Sequence, residues 1–123
     1  MKRTILMSIF TLLCSIFGCR AQGFVSVDAE EFAREIAKPG VQLVDVRTAA
    51  EYAEGHIADA VNIDVTASDF AEKISTLDKE RTVALFCRSG RRSKRAAEQA
   101  VQMGYKVVEL DGGILSWQGK IKK

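Results

Sequence analysis

The chain has 123 residues, 47% hydrophobic and 28% charged, which suits one ordinary globular domain. No internal repeat, low-complexity tract or second domain interrupts it. The net charge of +2 rests on the first 21 residues, which hold Lys2, Arg3 and Arg20 and no acid; without those three bases it becomes −1, so the overall balance gives no reason to expect a nucleic-acid partner.

The chain opens with "MKRTILMSIFTLLCSIFGCRAQ": a basic start, an apolar stretch from Ile5 to Phe17, then small residues. This pattern predicts a secretory signal, because the apolar run falls short of a membrane span. Two processing routes fit. Cleavage after Ala21 follows the small-x-small pattern Cys19-Arg20-Ala21, giving a signal peptide over 1–21. Alternatively, Ile16-Phe17-Gly18-Cys19 resembles a bacterial lipobox, giving a signal over 1–18 and membrane attachment through a lipidated Cys19. Either route predicts an exported protein, periplasmic or held at the cell envelope. The folded domain is expected over 24–121.

Apolar strands then alternate with helical segments. "FVSV" (24–27) predicts a short strand, and Asp28 with Glu31 an N-cap opening a helix with Phe32 and Ile36 on one face. Pro39-Gly40 stops that helix. "VQLVDV" (41–46) predicts a buried strand, "TAAEYAE" (48–54) a short helix closed at Gly55, "AVNIDV" (60–65) a strand and "DFAEKISTL" (69–77) a helix. "TVALFC" (82–87) is the most apolar strand. "SKRAAEQAVQMG" (93–104) predicts a helix ending at Gly104, "KVVEL" (106–110) the last strand, and "ILSWQGK" a final short helix. This alternation implies an α/β domain with a mainly parallel sheet, whose functional groups gather at the carboxyl ends of the strands.

One strand end is chemically distinctive. Cys14 and Cys19 fall in the signal, so Cys87 is the sole thiol of the domain, and an oxidising compartment offers it no intramolecular partner. Four of the nine positions from Cys87 to Arg95 are arginine and one is lysine. In "CRSGRRS" the strand stops, Gly90 permits a tight turn, and a helix begins near Arg92. Successive backbone N–H groups in such a turn form an anion-binding nest, reinforced by the helix N-terminus and by Arg88, Arg91 and Arg92. These donors favour the anionic form of the sulfur and would hold an incoming oxyanion against it. The competing reading is a small buried cysteine beneath a solvated arginine face. The Gly turn, the helix entry and the oxidising address outweigh it. Lys94 and Arg95 read as ordinary surface charge.

The sequence resembles the rhodanese-like family of single-domain sulfurtransferases across nearly all of its mature part. "LVDVRTAAEYAEGHI" resembles the family's first signature, "CRSGRRS" its active-site loop, and "LDGGILSW" its closing segment. The resemblance implies a small α/β domain with a mainly parallel five-stranded sheet flanked by helices. It also implies that Cys87 attacks the outer sulfur of a small anionic donor such as thiosulfate, becomes a persulfide, and passes the sulfur to a thiol or, in the laboratory, to cyanide. By family position Arg88, Ser89, Gly90, Arg91 and Arg92 form the substrate-binding loop. The N–H groups of Ser89, Gly90 and Arg91 cradle the persulfide, and Arg92 closes the loop.

Asp45 and Arg47 resemble the family's D-x-R and are expected to brace strand ends. His56, the only histidine, is expected to make a structural hydrogen bond, and Trp117 to pack as core under the last helix. After "GHI" the family's Pro-Gly is replaced by Ala58-Asp59.

No metal site is expected, since one His and one Cys cannot supply a ligand set, and no cofactor or nucleotide loop is implied. Two alternatives remain. A non-catalytic rhodanese-like module would bind a partner or sense sulfur species. A cysteine-dependent phosphatase or arsenate reductase would need Cys-x5-Arg, but that position is Ser93 and the arginine comes one residue earlier.

Overall fold

The computed structural model describes residues 23–123; the expected signal segment and both of its processing sites lie outside the described residues. In chain order the elements are β1 (Val25–Val27), α1 (Ala29–Ile36), β2 (Gln42–Asp45), α2 (Ala49–Glu54), β3 (His56–Ile57), β4 (Val61–Asn62), α3 (Phe70–Ile74), β5 (Val83–Phe86), α4 (Arg91–Gln102), β6 (Val107–Leu110), a 3-10 turn (Ile114–Ser116) and β7 (Ile121–Lys122).

Five strands form one parallel sheet in the order β1-β6-β5-β2-β4. β5 is central, and its four residues are fully buried, as expected where helices cover both faces of a parallel sheet. Side chains alternate along it. Val83, Leu85 and the following Cys87 point to the face packed by Ala96, Ala97 and Ala100 of α4 and by Phe70 and Ile74 of α3. Ala84 and Phe86 point to the other face, against Phe32 of α1. The period-2 pattern therefore decides which helix the cysteine meets.

Helix starts follow local chemistry. The Asp28 side chain accepts a hydrogen bond from the Glu31 N–H at 2.9 Å to cap α1. Thr48 and Glu51 form a reciprocal capping box on α2. α4 differs: its N-cap is Gly90, in a left-handed conformation with φ 104° and no side chain to occupy the first N–H groups. It begins at Arg91, two residues before the apolar pattern suggested.

Three expected elements differ. The strand foreseen over 60–65 reduces to Val61–Asn62, because Asp64 folds the chain into an Asx turn, accepting from the Thr66 N–H at 2.8 Å. The closing "ILSWQGK" is a single 3-10 turn followed by β7, which pairs antiparallel with β3. Trp117 leaves that turn in extended conformation and sets its ring edge-on to Phe32, 6.2 Å between centroids, so it is half-buried against α1 rather than under a closing helix. The helix expected over 69–77 shortens to Phe70–Ile74; its Asp69 makes no capping hydrogen bond.

At Ala58-Asp59 the backbone takes the shape a glycine would favour: Asp59 has φ 73°, the one positive φ outside glycine among the described residues. Left-handed backbone costs an L-residue roughly 1–2 kcal/mol, less for Asp. Asp59→Gly is expected to stabilise the domain by about 0.5–1 kcal/mol after the greater unfolded-state entropy of glycine is deducted. A denaturant midpoint that falls in this variant would show that the Asp59 side chain holds the turn.

Candidate active site

Cys87 follows β5 at the carboxyl edge of the sheet and is 1% exposed. The chain reverses over Arg88 and Ser89, both exposed, and enters α4 through the buried Gly90. The Gly90 N–H donates to Cys87 Sγ at 3.0 Å. Immediately beyond lie the first-turn N–H groups of α4, which have no intrahelical acceptors and carry the positive end of a 12-residue helix. Sulfur, turn and helix start therefore form one anion-receiving corner.

The turn is held from the opposite side by the loop after β6. The Ile114 N–H donates to the Cys87 carbonyl at 2.8 Å and the Leu115 N–H to the Arg88 carbonyl at 3.2 Å. The two loops touch through glycine. A Cβ at Gly90 would lie 1.9 Å from the Asp111 carbonyl oxygen, and one at Gly113 2.2 Å from that of Arg88. "LDGGILSW" is thus the second wall of the cysteine loop.

The loop cations divide into two groups. Arg88, in the turn, and Arg91, the first residue of α4, are exposed. Arg92 is turned away to α2, where its two terminal nitrogens meet both oxygens of Glu51 at 2.7 and 3.0 Å. It closes the loop by tying the start of α4 to the capping box of α2. Hydrogen bonding from Arg92, with further bonds from Thr48, holds Glu51 down at about 2 against a usual value of 4.5, although burial opposes the shift. Arg92 is raised in return, first by that hydrogen bond and also by the neighbouring charges of Glu51, Cys87 and Asp64.

Lys94 is not ordinary surface charge. Its Nζ lies 2.8 Å from Asp111 Oδ1, 3.4 Å from Glu109 Oε1 and 3.4 Å from the Gly90 carbonyl. Burial works to lower its pKa, but the bond to Asp111 and the charge of Glu109 outweigh that and leave it raised. Arg95 is exposed, as read from the sequence.

Asp45 and Arg47 form a buried brace beside this corner. The Arg47 Nε lies 2.9 and 3.0 Å from the two Asp45 oxygens, and its Nη2 also reaches the Gly55 carbonyl at 2.7 Å. Asn62 Nδ2 donates to the Asp45 and Arg47 carbonyls at 3.0 and 2.9 Å, tying β4 to the same strand end. His56 stacks on Tyr52 at 3.7 Å, and its Nδ1 lies 2.9 Å from the Tyr52 carbonyl. These side chains support the carboxyl edge, and their bonds run to protein groups.

Sequence reasoning singled out neither Glu51, Ser93 nor Glu109 for the site. Glu51 appeared there only as one residue of the short helix over 48–54. Ser93 and Glu109 lie 16 residues apart and meet only through the sheet, their side chains 2.5 Å apart. Among the described residues no three His, Cys, Asp or Glu side chains gather closely enough to hold a metal ion.

A strand-ending cysteine in an anion-binding turn, on a five-stranded parallel sheet, defines a rhodanese-type α/β domain. The family description "Rhodanese-like domain" matches residues 28–120, and the chain belongs to that family. It is 39% identical over 93 residues to a sulfurtransferase from Allochromatium vinosum, covering 74% of this chain and 85% of that one. It is 34% identical over 91 residues to the thiosulfate sulfurtransferase GlpE of Pseudomonas aeruginosa, covering 73% and 81%. The crystal structure of a rhodanese-related protein from Thermoplasma volcanium superposes with a TM-score of 0.70 at 31% identity, over 79% of this chain and 96% of that one. The curated relatives' names agree on sulfur transfer.

The Glu51–Arg92 pair generates a measurable pH dependence. A carboxylate held near 2 when folded and near 4.5 when free contributes stability that is complete above about 4.5 and lost as the pH falls toward about 2. Glu51→Gln is therefore expected to lower stability at neutral pH and to flatten its fall across that acid window. An unchanged slope of stability against pH between those values would show that the pair is not retained in solution.

Proposed function

We infer that this sulfurtransferase works outside the cytoplasm and uses Cys87 as its nucleophile. The Cys87 thiolate attacks the outer sulfur of a thiosulfate-like dianion, the S–S bond of the donor breaks, and sulfite leaves with the bonding electron pair. The product is a Cys87 persulfide anion seated among the N–H donors that held the thiolate. A thiolate acceptor, or cyanide in the laboratory, then attacks the terminal sulfur and returns Cys87 as thiolate.

The observation that carries this reading is the Gly90 N–H at 3.0 Å from Cys87 Sγ, at the N-terminus of α4. Negative charge is present on the donor, on the leaving sulfite and on the persulfide, so one set of fixed donors serves every state. Arg88 and Arg91 beside the turn supply the full charges that attract the donor. The names of the relatives support thiosulfate as the donor class. The apolar N-terminal segment supports export.

Incubating the purified mature domain with thiosulfate is expected to add the mass of one sulfur atom, removed by cyanide with release of thiocyanate. Cys87→Ser should fold and form no adduct; turnover persisting in it would refute the assignment of the nucleophile. Arg91→Ala should raise KM for thiosulfate about tenfold, the loss of one charge-assisted contact worth roughly 1.5–3 kcal/mol, with a smaller penalty at high salt. Export is checked separately by cell fractionation, where recovery of the unprocessed chain in the cytoplasm would rule it out.

A further inference from the structure

Beneath the cysteine lies a carboxylate that the sulfur-transfer reading leaves without a task. Glu109 sits on β6 between β1 and β5, opposite Ser26 on one side and Leu85 on the other. It is fully buried, on the sheet face that carries Cys87 two residues beyond Leu85. An interior carboxylate costs several kcal/mol unless it is well paired, so its retention under the reactive sulfur requires a reason.

Its contacts form a chain to the sulfur. Ser26 Oγ donates to Glu109 Oε1, and Ser93 Oγ donates to Glu109 Oε2 at 2.5 Å. Ser93, in the first turn of α4 and fully buried, lies 3.4 Å from Cys87 Sγ. A serine hydroxyl has one hydrogen. While Glu109 is ionised it can only accept, so that hydrogen points to Glu109 and the serine oxygen faces the sulfur as an acceptor. This arrangement suits a thiol, whose S–H donates to Ser93. A thiolate in the same place would face a lone pair. Reversing the chain removes the conflict: a protonated Glu109 donates to Ser93, and Ser93 donates to the sulfur anion. Both arrangements use the same heavy-atom positions.

We propose that Glu109 receives the Cys87 proton through Ser93. The S–H proton passes to Ser93 Oγ as the serine's own proton passes to Glu109 Oε2, leaving a thiolate and a neutral carboxylic acid. The S–H bond and the serine O–H bond break, a new serine O–H and a carboxyl O–H form, and no electrons are transferred. The total charge of the trio stays at −1, so no net charge is created in the interior when the nucleophile is made. The persulfide anion formed next keeps Glu109 protonated, and the proton returns when Cys87 reverts to thiol. Ser93 touches the reacting sulfur; Glu109 acts only through it, as a positioning residue that stores the proton. The other charged groups around the trio are Lys94 on α4, 3.4 Å from Glu109, Asp111 at the end of β6, bound to that lysine, and Arg92, whose charge is felt at Cys87.

This inference rests on Cys87 being the nucleophile, and its first test needs no sulfur donor. Iodoacetamide alkylation of the mature domain is followed against pH, with the fold checked by circular dichroism. When the proton only moves within the trio, the thiolate fraction does not depend on pH, so the wild-type rate should be flat on both sides of neutrality. Glu109→Gln keeps the shape, with one of the two serines now accepting from the amide NH2 instead of donating, but it cannot take the proton, so its rate should fall by about tenfold per pH unit on acidification. Ser93→Ala should show the same slope. A flat profile in folded Glu109→Gln, or a sloping one in the wild type, overturns the relay. Infrared difference spectra give a second measurement on the wild-type chain: charging Cys87 with thiosulfate should add the carbonyl band of a protonated carboxylic acid. A charged protein without that band also overturns the proposal. Failure to form a sulfur adduct, with the alkylation profiles as expected, would instead count against thiosulfate as donor and leave the relay standing.

Discussion

The cysteine loop and the loop after β6 approach so closely that neither can carry a side chain at the point of contact. Gly90 lies against the backbone of Asp111 and Gly113 against that of Arg88, and the carbonyls of Cys87 and Arg88 are spent on Ile114 and Leu115. This contact fixes the turn before any substrate arrives. Because the turn is fixed, the Gly90 N–H faces the sulfur, α4 starts immediately beyond it, and Ser93 falls beneath Cys87. Preorganised donors stabilise charge without reorganisation during the reaction, and rigid backbone supplies them more reliably than mobile side chains. The site is therefore built from main chain, with arginines arranged around it.

Parallel topology makes that contact available. With β5 central and β6 beside it, the loops that follow these two strands emerge side by side at one edge of the sheet. The same register sets Glu109 opposite Leu85, one alternation short of Cys87, so a residue far along the chain lies beneath the thiol. The other buried charges are also paired. Asp45 and Arg47 neutralise each other across three short contacts, and the buried side-chain nitrogen and oxygen atoms of the described residues all find partners. A buried pair contributes little net stability against an apolar replacement, but removing one partner is costly. These pairs hold strand ends in position more than they hold the domain together.

The alternation of strands and helices, the parallel sheet and the cysteine at a strand end were legible because each depends on local pattern: apolar runs, N-cap signals and a glycine turn. The N-cap at Asp28 with Glu31 likewise depends on neighbours three residues apart. What escaped the sequence was set by tertiary register. The Ser93–Glu109 contact spans 16 residues and the Arg92–Glu51 pair 41, and no local rule relates them. The closing segment misled for a related reason: "ILSWQGK" has helical composition, but Trp117 is drawn to Phe32 and Ile121–Lys122 to β3, which leaves one turn of helix. Lys94 read as surface charge because the acids that receive it, Glu109 and Asp111, arrive from β6.

The division of labour among the loop cations follows from those partners. Arg92 and Lys94 are each matched to a carboxylate, so their charge is largely cancelled at a distance and their contribution is to geometry. Arg88 and Arg91 have no carboxylate partner among the described residues and stand exposed beside the turn. Two free charges near a helix N-terminus attract a small dianion but are screened within about 8 Å at physiological ionic strength. Their field is therefore confined to the neighbourhood of the turn rather than spread over a broad surface. The near-neutral remainder of the domain reinforces that focus, since it offers an anion little to bind elsewhere. The density of positive charge around one thiol thus separates into a paired set, Arg92 and Lys94, that shapes the loop and a free set, Arg88 and Arg91, that leaves its charge beside the turn.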